Sequence, residues 1–273
     1  MTTIDTYSSI LRRVEAKATM ALQLAKCQAP IDVFALAKHR RVLEVKFLDM
    51  LPDGGLVPVS GGFELYVRDS QESVADFGGK SPMPILTPRQ RFTIAHEVAH
   101  TFFFDLSTSP PVELNGLPRL PVLERVCNRI AADMLVPGGL LRATLRQLHS
   151  ISATTVSELA KQFDVSVQMM VRRLATESLP SLDEAMILAY PTREPGDAQI
   201  RAVCYGHGLL SVRPRPAEFG SLRAWSGDLL PGDFFKPGEK SWYQDVGNRR
   251  LCVTKSLLAS RSGAFLLELR DAQ

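Results

Sequence analysis

The chain is 273 residues long, 45% hydrophobic and 22% charged, with a formal net charge of +3. Those values describe a soluble globular protein of one large domain or two to three small ones. They exclude a membrane-spanning segment, since no run approaches about 18 consecutive apolar residues, and the mild basicity neither demands nor excludes a nucleic-acid partner.

The amino terminus lacks an apolar core followed by a small-residue cleavage site, so it does not read as a signal peptide. Cys27, Cys127, Cys204 and Cys252 are scattered, with no C-x-x-C pair. They indicate neither a cysteine-based metal site nor a disulfide framework, and they suit a reducing cytoplasm.

In chain order, residues 8 to 28 predict an amphipathic helix. Pro30 interrupts it, and a second helix starts in IDVFALAKHRR with Asp32 as N-cap. Residues 43 to 51 predict a strand, Asp53-Gly54-Gly55 a turn, and GFELYVRD at 62 to 69 a half-buried strand. A Gly/Ser/Pro-rich loop from about Asp76 to Leu86 leads to a sharp helix start: Thr87 as N-cap, Pro88 at the first helical position, Gln90 completing a capping box. That helix carries RFTIAHEVAHTFFFD. A loop spans about Ser107 to Leu120, a helix about Pro121 to Val136, and a shorter helix 140 to 150. TTVSELAKQF and SVQMMVRRLA form two more helices, with Thr155 and Glu158 as a capping box for the first and Ser166 capping the second. From about Leu182 the pattern turns strand-rich: AMILAY, IRAVCY, LLSVR, RLCVTKSLLA and AFLLEL.

The strongest chemical signal is His96-Glu97-Val98-Ala99-His100. Two histidines at i and i+4 share one face of a helix, so both imidazoles reach one metal ion at about 2.0–2.1 Å. Glu97 starts on an adjacent surface and reaches the attacking water without being a ligand. Zinc acidifies its water to a pKa of about 7 and polarises a carbonyl; the carboxylate takes the proton and later delivers it to the leaving amine. The flanking Phe92, Ile94, Ala95, Val98, Ala99, Phe102, Phe103 and Phe104 mark a largely buried helix, which argues against a surface helix carrying these residues by chance.

A third ligand is required. The extended pattern with a glycine and a third histidine is absent, because Phe103 and Leu106 occupy those positions. The candidates are Asp105, Glu113, Glu124 and Asp133. Glu124, in the first turn of a helix with an apolar face, is favoured; Asp105 projects away from His100 on the same helix. Asn128, one turn after Glu124, is placed to orient a ligand histidine through its second ring nitrogen. Manganese or another divalent ion meets the same donor set.

RFTIAHEVAH, with the later run Glu124, Asn128, Ala131, Ala132, Leu135 and Pro137, resembles the ImmA/IrrE family of metallo-endopeptidases, as does the opening PIDVFALAKHRR. The departures are Ala99 for a more common glycine, Cys127 for alanine and Ile130 for phenylalanine. The resemblance implies that His96, His100 and Glu124 bind zinc and that Glu97 is the base. It also implies an α+β fold: a zincin-like peptidase domain with a small sheet at 1–138, a helix-turn-helix-like region at 139–178, and a GAF-like sensor at 182–273. The implied substrate is a helix-turn-helix repressor of the phage-repressor type, with derepression in a stress or DNA-damage response.

Three further expectations concern recognition. An exposed strand edge is the natural seat for a substrate chain, and GFELYVRD, with Phe63, Leu65 and Val67, is the expected strand. The second helix of the helix-turn-helix-like pair would expose Gln168, Arg172 and Arg173 to DNA, although a hairpin that completes the peptidase fold is the better reading. In the tail, Cys204, Tyr205, His207 and Trp225 are weighed as ligand contacts without forming a motif. The rival functions are a DNA-binding regulator, or a repressor-sequestering protein, whose zinc site is structural or vestigial; an intact Glu97 argues against a purely structural site.

Overall fold

The computed structural model describes residues 14, 16, 28–69, 85–148, 151–176, 184–191, 198–205, 240–246, 249–258 and 264–271. Of the expected amphipathic helix at 8–28 only residues 14, 16 and 28 are described, the first two as helix; the strand LLSVR, His207 and Trp225 lie outside these residues. The architecture is α+β. The chain divides into two compact units, Met1–Leu141 with Gln162–Val165, and Arg142–Lys161 with Ser166–Gln273. The helices of the helix-turn-helix-like pair fall in the second unit and its turn in the first. No helix among the described residues is long and apolar enough to cross a membrane.

In the first unit, α1 (Val33–His39) begins where Asp32 accepts hydrogen bonds from the backbone N–H groups of Phe34 and Ala35, as the N-cap reading requires. β1 (Val42–Leu48), β2 (Gly54–Val59) and β3 (Gly62–Arg68) form a sheet in the order β1-β3-β2. β2 and β3 make a hairpin through Ser60-Gly61, and Gly61, at φ +87°, supplies the left-handed conformation the turn needs. β1 runs parallel to β3. The expected turn at Asp53-Gly54-Gly55 proves to be the start of β2: Gly54 and Gly55 pair with Val67 and Tyr66.

The strand proposed as a substrate edge is corrected by this order. β3 is the central strand, with both hydrogen-bonding edges taken, and Phe63, Leu65 and Val67 are fully buried. A strand with one wholly apolar face gains most at the centre of a sheet, where burial of each such side chain contributes about 1.5–3 kcal/mol. Among the described residues, the edges of this sheet are β1 and β2.

α2 (Pro88–His100) packs on β2, β3 and α1. Thr87 and Gln90 form the expected capping box and Pro88 opens the helix. The helix ends at His100 in a short 3-10 turn, Thr101–Phe103, and not in continued α-helix to Asp105. Asp105 instead lies in β4 (Phe104–Asp105), paired with β5 (Val112–Glu113). Arg40 secures this end, donating from Nε to Thr101 Oγ1 and from Nη2 to the Thr101 carbonyl. α3 (Leu120–Leu135) packs against α2 through Val126, Cys127, Ile130, Ala131 and Met134 on its buried face, and α4 (Gly138–Leu145) follows.

Arg91 ties α2 to chain segments distant in sequence. Its guanidinium is buried and donates from Nη2 to the Ile31 carbonyl at 2.7 Å and from Nε to the Asp164 carbonyl at 3.0 Å, with the Asp164 carboxylate at 3.0 Å from Nε. Charged hydrogen bonds are worth about 1.5–3 kcal/mol each. Arg91→Ala is therefore expected to lower the unfolding free energy by about 2–3 kcal/mol, read as a shift of the denaturation midpoint; an unshifted midpoint would show these bonds to be matched by water.

The second unit holds α5 (Ala153–Gln162, of which Gln162 falls in the first), α6 (Val167–Thr176) and a fully antiparallel sheet in the order β7-β6-β10-β9-β8. Its strands are β6 (Glu184–Pro191), β7 (Ala198–Tyr205), β8 (Lys240–Val246), β9 (Arg249–Leu257) and β10 (Phe265–Asp271). β8 has no counterpart among the expected strands. Ser152, not Thr155, caps α5: its Oγ accepts from Thr155 N, and α5 begins at Ala153. Ser166 caps α6 as expected, accepting from Met169 N. α6 packs on β7 and β6 and buries Met169, Met170, Val171, Arg173 and Leu174. Arg173, expected to face DNA, is buried and donates to Thr176 Oγ1. Gln168 is half-buried, which leaves Arg172 as the one exposed member of the proposed contact set. The helix packs on the sheet of the second unit and does not complete the peptidase fold as the hairpin expectation had it.

Candidate active site

α2 and α3 bring three donors to one point. His96 and His100 lie one turn apart on α2, their ring centroids 4.8 Å apart at 69°. Glu124 rises from the first turns of α3. His96 Nε2 lies 3.0 Å from His100 Nε2 and 3.1 Å from Glu124 Oε2, and His100 Nε2 lies 3.4 Å from Glu124 Oε1. Donors each about 2.0–2.1 Å from a tetrahedral ion sit about 3.3 Å apart, so this spacing fits a zinc-sized cation among two imidazoles and a carboxylate. Among the described residues this trio is the one cluster of metal-ligating type.

The other acids weighed for the third position are elsewhere. Asp105 and Glu113 are exposed on β4 and β5, and Asp133 faces Arg129 at 3.9 Å. Asn128 is exposed, and the buried Nδ1 of His96 has no hydrogen-bond partner, so His96 takes no bond from Asn128.

Electrostatics suit the donor set. Burial, and His96 beside it, pushes the His100 pKa down to about 4 against the opposing pull of Glu124, which keeps the imidazole neutral, the form that binds a cation. Glu97 is 8% exposed. Burial first, and the negative Glu124 second, pushes its carboxyl up to about 7. Cys127 is also buried here, and burial with the nearby Glu124 and Glu97 raises its thiol well above the usual range.

Sequence reasoning missed Gly54. A Cβ placed there would collide with Thr93 Cγ2 and lie 3.0 Å from Glu97 Oε1 and 3.2 Å from Glu97 Cγ. The available signal was a glycine inside a strand, which marks a close approach, but it was read as a turn.

Comparison with known proteins agrees with this geometry. Residues 87–175 match the IrrE N-terminal-like domain. The radiation response metalloprotease IrrE of Deinococcus deserti is 30% identical over 149 residues, 53% of this chain and 50% of that protein. Its namesake from Deinococcus radiodurans is 27% identical over 150 residues, 53% of this chain and 45% of that protein. The chain thus spans about half the length of the curated relatives it matches. A Mycobacterium tuberculosis transcriptional regulator of known structure shares the fold at a TM-score of 0.50 and 14% identity, over 95% of this chain and 76% of the other. Residues 87–175 are thus similar to the IrrE N-terminal-like domain, and the two IrrE metalloproteases support the resemblance to the ImmA/IrrE family.

Proposed function

We propose that this chain is a cytoplasmic, zinc-dependent endopeptidase that cleaves a helix-turn-helix repressor and so relieves repression in a stress or DNA-damage response. The observation that carries the reading is the cluster of His96, His100 and Glu124 donors, with Glu97 next to His96 on the same helix and its carboxylate against the strand at Gly54. His96, His100 and Glu124 would hold the zinc. A bound zinc ion would supply a Lewis acid that polarises the scissile carbonyl and acidifies the attacking water.

Glu97 takes the proton of the attacking water on a carboxylate oxygen and returns it to the leaving nitrogen. β2 receives the substrate. Its pairing alternates so that Asp53, Gly55, Val57 and Val59 bond to β3, while Gly54 and Leu56 turn their N–H and C=O groups to the open edge. An extended peptide added there would run past Glu97. Pro58 has no N–H to offer, which limits the pairing to the end of β2 nearest Glu97. The strand-rich unit we read as a GAF-like sensor, and the buried face of α6 supports a structural role for the helix pair in place of DNA contact.

The test is incubation of the zinc-loaded full chain with helix-turn-helix repressors from the same organism, with products identified by mass spectrometry. Two fragments from one internal cut, lost on chelation, are the expected result. A stable complex with an intact repressor would replace cleavage by sequestration.

A further inference from the structure

We infer that Gly54 is a positioning residue for Glu97: its missing side chain leaves the space that the Thr93 methyl and the Glu97 side chain fill together. The inference rests on the reading of Glu97 as the base. Glycine in a strand costs stability, because it loses more backbone freedom and packs nothing, so its presence calls for a cause. Backbone conformation is not that cause, since Gly54 lies in regular antiparallel pairing with Val67 and does not adopt a left-handed φ. Space is. A Cβ at residue 54 would meet Thr93 Cγ2 below any normal contact and would press on Glu97 Oε1 at 3.0 Å and Cγ at 3.2 Å. Carbon contacts are favourable only at about 3.5–4.0 Å. Gly55, next in the strand, would meet nothing.

The strand has little room to retreat. Asp53 accepts from Arg89 Nε at 3.2 Å and from Arg89 Nη2 at 2.6 Å, and its carbonyl accepts from Arg68 N at 2.8 Å. These bonds fasten the start of β2 both to the first turn of α2 and to β3. With the strand held, a side chain at 54 displaces Thr93 or Glu97. Thr93 is buried and branched at Cβ, so it turns less easily than the longer Glu97.

The two neighbours separate a packing role from a positioning role. Thr93→Ser deletes the methyl that a residue-54 Cβ strikes and leaves Glu97 untouched. The full chain, loaded with zinc, is compared as wild type, Gly54→Ala, Gly55→Ala, Gly54→Ala with Thr93→Ser, and Glu97→Gln. Thermal midpoint, zinc affinity, and affinity for acetohydroxamate are measured by calorimetry. The hydroxamate chelates the metal and presents a proton to a carboxylate beside it, so it reports where Glu97 stands without any turnover. Gly55→Ala is expected to match wild type in all three. Gly54→Ala is expected to lower the thermal midpoint and to weaken the probe. The double variant is expected to recover the midpoint and the zinc affinity, yet to bind acetohydroxamate about tenfold or more weakly, as for loss of an orienting contact. Full recovery of probe binding in the double variant would overturn the inference and leave Gly54 as packing against Thr93. Wild-type probe affinity in Glu97→Gln would instead remove the reading of Glu97 as the base, a failure distinct from that of Gly54.

Discussion

Glu97→Gln is expected to lower repressor cleavage by about 10²–10⁴-fold, the usual contribution of a positioned acid–base group, while zinc content stays at the wild-type level. The amide has nearly the shape of the carboxylate. It still fits beside Thr93 in the space left by Gly54. What it cannot do is accept a proton from water. His96, His100 and Glu124 are unchanged in this variant, so the donor spacing of 3.0 to 3.4 Å survives. Single-turnover cleavage alongside metal analysis separates the two quantities. Near-normal turnover in a zinc-replete Glu97→Gln protein would take the base role away from this residue.

Glu124→Ala should have the larger effect on the metal itself. It removes the anionic donor of the trio and leaves two neutral imidazoles facing an open side. The affinity loss is expected to exceed about 100-fold, the upper end for groups that merely orient a ligand, and cleavage should fall with it. The fold should persist, since Glu124 is 41% exposed on its side chain and α3 is held by Cys127, Ile130 and Met134 beneath. Competition against a chromophoric chelator measures the affinity directly. Full zinc occupancy after Glu124→Ala would place the third ligand elsewhere, and the exposed Asp105 and Glu113 would have to move to supply it.

Each of these predictions joins a local feature to a long-range one. That His96 and His100 share a face follows from helix periodicity alone, and the start of that helix is written in Thr87, Pro88 and Gln90 within a single turn. Asp32 and Ser166 are legible for the same reason, a side-chain oxygen a few residues from the N–H it accepts. The misreading of Ser152 and Thr155 shows the resolution of such signals: two hydroxyls three residues apart both look like caps, and packing selects one. Asp105 lies off the helix on which the spacing placed it because the helix gives way to a 3-10 turn after His100, where Arg40 takes hold of Thr101, and Arg40 is far away in sequence.

The amino-acid sequence by itself determined the helix that carries His96, Glu97 and His100, and its cap. Those features depend on spacings of three to four residues, which the backbone converts into faces without outside help. The tertiary structure alone decided that β3 is central, that β2 is the edge beside Glu97, that Gly54 is a vacancy in place of a turn, and that Arg173 is buried and not offered to DNA. Each depends on which strand or helix arrives alongside. Alternation of apolar residues fixes the face a strand buries, but the face says nothing about which neighbours take its two hydrogen-bonding edges.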